Sequence, residues 1–180
     1  MTAQPVPVDN DELLRFIAEA PHDGHRYEID NGELIVTPPA SGRHQNFGSS
    51  LYDLVRPALP NGWALRYEFG LSIGGRQAVP DLVVFDHEPP DTDELYPLIR
   101  PRLVVEIESI STRRRDRVSK PEWYARGGAD AYWRIEADET VHVYTEPTSE
   151  GLWNEVRVIR PGSELAIEKP FPIVLRSPIR

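Results

Sequence analysis

The sequence predicts an α/β fold: a mixed central β-sheet flanked by helices and opened by an N-terminal helix and a β-hairpin. Three observations carry this expectation. Apolar residues recur at helical spacing in two early segments, Leu13, Phe16, Ile17, Ala20 and Phe47, Leu51, Leu54, Val55, Ala58. Asp30-Asn31-Gly32 separates two short apolar runs, a strong local signal for a hairpin. Leu103-Val104-Val105-Glu106-Ile107 is almost continuously apolar, as a strand covered on both faces must be.

Each element has a local reason. Asp9 and Glu12 make an N-cap and N3 pair for a helix running to about Ala20. The hairpin strands are Arg26 to Ile29 and Glu33 to Val36, the second ended by Thr37-Pro38-Pro39. Ser41 caps the second helix, and Pro57, lacking an N–H, bends or ends it. Asn61-Gly62 is a turn, with strands expected at Trp63–Phe69, Leu71–Ile73 and Val79–Phe85. Acids and prolines crowd the stretch from Asp86 to Pro97, which reads as an exposed loop. A basic segment, Thr112 to Lys120, leads into a helix ending at Gly127-Gly128. Strands follow at Ala131–Ile135, Val141–Tyr144 and Trp153–Ile159, before a proline-rich tail.

The chain has 180 residues, 39% of them hydrophobic, enough for one domain with a substantial core. The expected division is a helical extension at 1–25, a core at 26–145, and C-terminal strands and tail at 146–180. No apolar run is long enough for a membrane span, and the first residues lack the pattern of a secretory signal. The expected compartment is the cytoplasm. Cysteine is absent, which removes disulfides, thiolate zinc sites and cysteine nucleophiles. With 29 acidic against 20 basic residues the formal charge is -9, so any contact with nucleic acid is expected to be local.

The apolar strands carry acids. Asp81 opens Leu82-Val83-Val84-Phe85, and Glu106 lies in the run Leu103 to Ile107. A carboxylate in a core strand is costly unless paired or bound to a cation. Two acids on neighbouring strands could hold one hard ion such as Mg²⁺, or they could be strand-end acids bonded to arginine.

Several motifs, in order, resemble one family. They are Tyr27-Glu28-Ile29-Asp30-Asn31-Gly32-Glu33-Leu34, Arg43-His44-Gln45, Val79-Pro80-Asp81-Leu82-Val83-Val84, Leu103-Val104-Val105-Glu106-Ile107-Glu108-Ser109 with Ser111-Thr112, Arg115-Asp116-Arg117 with Lys120, Tyr124-Ala125-Arg126-Gly127-Gly128, and Tyr132-Trp133. Together they resemble the Uma family of the restriction-endonuclease-like PD-(D/E)XK superfamily, over residues 26 to 145. The resemblance implies a restriction-endonuclease-like fold and a DNA endonuclease dependent on Mg²⁺ or Mn²⁺. It also implies roles for particular residues. Asp81 and Glu106 would bind the metal with the Ile107 main-chain carbonyl, and Lys120 would orient water or steady charge on the phosphate.

Other residues admit two readings. Glu108 stands where the superfamily pattern places a lysine, and strand alternation puts it on the face of Glu106. It is either a metal or supporting ligand or a surface acid paired with a nearby arginine. Lys120 precedes Pro121, so it sits either at the entrance of a helix capped near Ser119 or on a kinked helix, paired with Asp116. Arg113, Arg114 and Arg115 could clamp phosphate or form a solvated charge run. His44 could touch a phosphate or move a proton, Glu33 could add an acid near the metal, and both could be ordinary surface residues. His22-Asp23-Gly24-His25 has too few ligands for zinc. Trp123, Tyr124, Tyr132 and Trp133 read as core and interface aromatics rather than base-stacking platforms. A homodimer is expected by analogy with other nucleases of this fold. A catalytically inactive binding module is the competing reading; a two-carboxylate glycosidase has no support in the ordered motifs.

Overall fold

The computed structural model of the protein describes residues 9–21 and 23–179. Helix α1 (Asn10–Ala18) is capped by Asp9, whose side chain accepts from the Asp11 N–H. It buries Leu13 and Ile17 against Ile29 and Tyr96, while Phe16, expected to be buried, is exposed. The hairpin β1 (Arg26–Asp30) and β2 (Glu33–Thr37) turns on Asn31 and Gly32, with φ of 52° and 76°. Both angles lie in the left-handed region that a tight hairpin turn requires. Helix α2 (Gly42–Val55) starts at Ser41, whose hydroxyl accepts from the His44 N–H. Pro57 converts its end into a 3-10 turn at Arg56–Ala58.

Strands β3 (Ala64–Tyr67), β4 (Leu71–Ile73), β5 (Arg76–Ala78), β6 (Leu82–Phe85), β7 (Leu103–Ile107), β8 (Ala131–Ile135), β9 (Val141–Pro147) and β10 (Trp153–Ile159) complete two sheets. The larger has the order β10-β9-β8-β7-β6-β3, mixed because β7 and β8 alone run parallel. Helix α3 (Arg113–Arg126) is the crossover between those two strands. The smaller sheet, β2-β1-β5-β4, is antiparallel. Neither it nor strand β5, whose residues Arg76-Gln77-Ala78 carry little β signal, was expected from the sequence. The chain after β10 is also more than a tail. It forms a further hairpin, β11 (Glu164–Ile167) with β12 (Ile173–Arg176), and buries Ile167, Phe171, Leu175 and Ile179 in the main core.

Alternation divides the central strands between two cores. Leu82, Val84, Leu103, Val105 and Ile107 face α2 and the C-terminal hairpin. Val83, Phe85 and Val104 face the other way, toward Leu71, Ile73 and Ala78 of the smaller sheet and Tyr124 of α3. Asp81 and Glu106 belong by parity to this second face. The end of α3 approaches the turn between β4 and β5 so closely that a Cβ on Gly74 would strike the Trp123 carbonyl, and one on Gly127 would strike Ile73. Glycine at both positions therefore sets how deeply α3 sits.

Among the described residues, no helix is long and apolar enough to cross a membrane. The loop from Asp86 to Pro97 carries no strand or helix, but it is anchored: Tyr96 is buried and donates to the Tyr27 carbonyl at 2.5 Å.

Candidate active site

Leu82 pairs with Val105 in the antiparallel ladder of β6 and β7, so the next positions, Asp81 and Glu106, stand opposite one another on one face. They are 1% and 3% exposed, so their charges must be answered inside the protein. Arg26 Nη1 donates to Asp81 Oδ1 at 2.6 Å, and the Ile107 N–H donates to Oδ2 at 2.7 Å. His44 Nε2 donates to the Ile107 carbonyl at 3.2 Å and lies 3.4 Å from Asp81 Oδ2. Glu106 Oε1 accepts from Lys120 Nζ at 2.8 Å and from the Tyr124 hydroxyl at 2.5 Å.

Lys120 is itself buried and touches two further acids, Asp116 at 3.3 Å and Glu28 at 3.6 Å. Glu28 accepts from Arg115 at 2.9 Å and from the Val79 N–H at 3.1 Å. Arg26, Glu28, Asp81, Glu106, Ile107 and Lys120 enclose a space of about 10 Å³, about enough for one water molecule.

The environment moves these groups in opposite directions. Burial raises Glu106 most, Lys120 opposes, and the nearby Asp116, Asp81 and Glu28 carboxylates add to the rise, which reaches about 8. Burial also favours proton uptake by Asp81, but His44 and Arg26 outweigh it and hold that carboxyl below its usual range. Burial disfavours the Lys120 ammonium, yet Glu106, Glu28 and Asp116 raise it above an ordinary lysine. The hydrogen bond to Asp81 raises His44. The two facing acids are thus shifted in opposite directions, Glu106 up by burial and Asp81 down by His44 and Arg26.

Helix α3 begins at Arg113, before Lys120, so the version with a helix capped near Ser119 is not the one formed. The Asp116–Lys120 pair is real, but it is buried rather than on the surface, because this face of α3 points into the site. Glu108 does not join the pocket. Arg117 grips its carboxylate at 2.7 and 2.9 Å, Arg134 bonds it closely, and Arg113 is 3.6 Å away, so Glu108 is paired with arginine as expected of a non-ligand, but it is buried rather than on the surface. Glu33, expected as a possible added acid, is exposed beside the hairpin turn and pairs in the ladder with Asp30. Arg115 is committed to Glu28, whereas Arg113 and Arg114 are exposed.

The sequence reading missed Arg26, Glu28, Asp116 and Tyr124 as site residues. Arg26, Glu28 and Asp30 alternate along β1, and that polar face was the available signal. Tyr124 carried none, since its hydroxyl partner lies 18 residues away. His25 pairs with Asp23 at 2.7 Å, and His22 lies outside the described residues.

The oxygens of Asp81 and Glu106 and the Ile107 carbonyl form a hard donor set of the type Mg²⁺ or Mn²⁺ takes. Arg26, His44 and Lys120 lie against the two carboxylates and answer their charge. Among the described residues, no cluster of three or more His, Asp or Glu side chains is placed to hold a metal.

The Uma2 family model, described as "Putative restriction endonuclease", matches residues 11–180. A crystal structure of a "putative nuclease belonging to DUF820" from Anabaena variabilis superposes with a TM-score of 0.64 at 22% identity, covering 86% of this chain and 88% of that one. The curated proteins include no match. A family match over nearly the whole chain and a shared architecture agree with the ordered motifs: the chain belongs to the Uma2 family and has a restriction-endonuclease-like fold.

Proposed function

We propose that the protein is a divalent-metal-dependent endonuclease that hydrolyses DNA phosphodiester bonds at the pocket between Asp81 and Glu106. The observation that carries this reading is the pair of buried carboxylates facing each other across β6 and β7, with the Ile107 main chain beside them. Family membership supports the reaction class.

Asp81, Glu106 and the Ile107 carbonyl would hold Mg²⁺ or Mn²⁺. Such a cation supplies Lewis-acid polarisation of a phosphoryl oxygen and a more acidic bound water. Lys120 and Tyr124 hold the Glu106 carboxylate from the α3 side and restrict its rotamers, and the Lys120 charge would steady the phosphate during reaction. Arg26 balances Asp81 from β1. His44 covers the Ile107 carbonyl and marks the side from which substrate approaches, because it also lines the neighbouring groove.

Nuclease assays on linear, nicked and single-stranded DNA with Mg²⁺ or Mn²⁺ test this, comparing the natural protein with Asp81→Ala and Lys120→Ala. Activity surviving both substitutions overturns the site. One observation favours a second reading, a binding module with little or no turnover: Arg26, His44, Lys120 and Tyr124 already engage the oxygens of both acids. Calorimetry separates the two, since Mg²⁺ or Mn²⁺ binding that disappears in Glu106→Ala counts against the module.

A further inference from the structure

We infer that the groove beside the Asp81–Glu106 pocket receives an unpaired nucleobase, so that the preferred substrate is single-stranded or locally unpaired DNA. The inference rests on the nuclease reading and names its substrate class.

The groove has a volume of about 520 Å³ and is continuous with the small pocket, since Arg26, Thr37 and Ile107 line both. That size falls within the range of preformed small-ligand sites, roughly 300–1,000 Å³. Its exposed lining is largely apolar and includes Pro38, Pro39, Phe47 and Ile110. Such surfaces hold the flat faces of bases of any sequence.

Ile110, which lines the groove, is 95% exposed. Its loop is braced. Ser109 Oγ lies 3.0 Å from both the Ser111 and Thr112 hydroxyls, and the Ser109 N–H donates to Thr112 Oγ1 at 3.1 Å. The isoleucine is therefore presented on a fixed turn, where it can slide beside or between bases.

Charge argues against an intact duplex. Duplex affinity comes mainly from many phosphate contacts, yet the chain carries -9 and most of its nearby cations are committed. Arg115 is held by Glu28, and Arg117 and Arg134 by Glu108 and Glu136. Exposed Arg43 and Arg113, the latter 3.6 Å from Glu108, flank the groove and suffice for one or two phosphates.

Fluorescence anisotropy at one salt concentration tests this, using metal-free protein with labelled single-stranded and duplex DNA of equal length. Single strands should bind at least about fivefold more tightly than the duplex, and Ile110→Asp should remove most of that difference. With Mg²⁺, single strands should also be cleaved faster. Duplex bound or cut as well as single strands, or an Ile110→Asp variant with unchanged preference, overturns the inference while leaving the nuclease reading intact. Single-strand preference that depends on Ile110 without cleavage supports the groove and sinks the nuclease reading. No binding to either form overturns both.

Discussion

Lys120 Nζ lies 2.8 Å from Glu106 Oε1, and both side chains are buried, although one comes from a helix and the other from a strand. The ammonium also touches Asp116 and Glu28, so a single lysine answers three acids. Lys120→Met should therefore destabilise the protein by about 3–5 kcal/mol, because it leaves buried carboxylates without their cation. Urea unfolding measures the loss. Lys120→Met combined with Glu106→Gln should recover part of it, since the double change removes charge of both signs.

The raised Glu106 carboxyl has a pH consequence for metal-free protein. Its folded value of about 8 exceeds its ordinary value of 4.5, so the folded state holds a proton that the unfolded state releases. Its stabilising contribution is complete below pH 4.5 and is lost as pH rises through about 8. Thermal unfolding in a chelator should show stability falling across this window, and Glu106→Gln should flatten the fall. An identical profile in the variant would place the titration elsewhere.

Glu108 and Glu106 should behave differently toward a divalent ion. Glu108→Gln breaks contacts with Arg117 and Arg134 and should lower stability by about 1–3 kcal/mol while leaving metal affinity within about threefold. Glu106→Gln should weaken metal binding at least about tenfold. Calorimetric titration of Mn²⁺ into each variant is the comparison.

Helix α3 can be displaced from a distance. Gly127→Ala introduces a methyl against Ile73 and the Gly74 backbone, at an expected cost of about 1–3 kcal/mol. Because α3 carries Lys120 and Tyr124, nuclease activity on single-stranded DNA should fall as well. Unchanged stability together with unchanged turnover would show that α3 has room to adjust.

Local signals in the sequence suffice where the cause is local. Asp9 and Ser41 cap their helices, Asn31-Gly32 turns its hairpin, and the continuous apolar run of Leu103 to Ile107 lies in the sheet interior with β6 and β8 on its two sides. Signals failed where the partner is remote. Strand β5 has a weak pattern of its own and exists because β1 and β4 offer it ladder bonds. The β11–β12 hairpin was hidden in a proline-rich stretch, and its apolar residues acquire meaning only against the larger sheet.

The amino-acid order alone determined the fold class, the family resemblance and the two acids on apolar strands, because strand alternation and burial cost can be read from consecutive residues. The tertiary structure decided which charges meet. It brought Arg26 and Glu28 from β1, His44 from α2, and Asp116, Lys120 and Tyr124 from α3 to those acids, and it gave Glu108 to the arginines instead. The physical reason is that the energy of a buried charge depends on distances of a few ångströms between segments far apart in the chain, and only packing sets those distances.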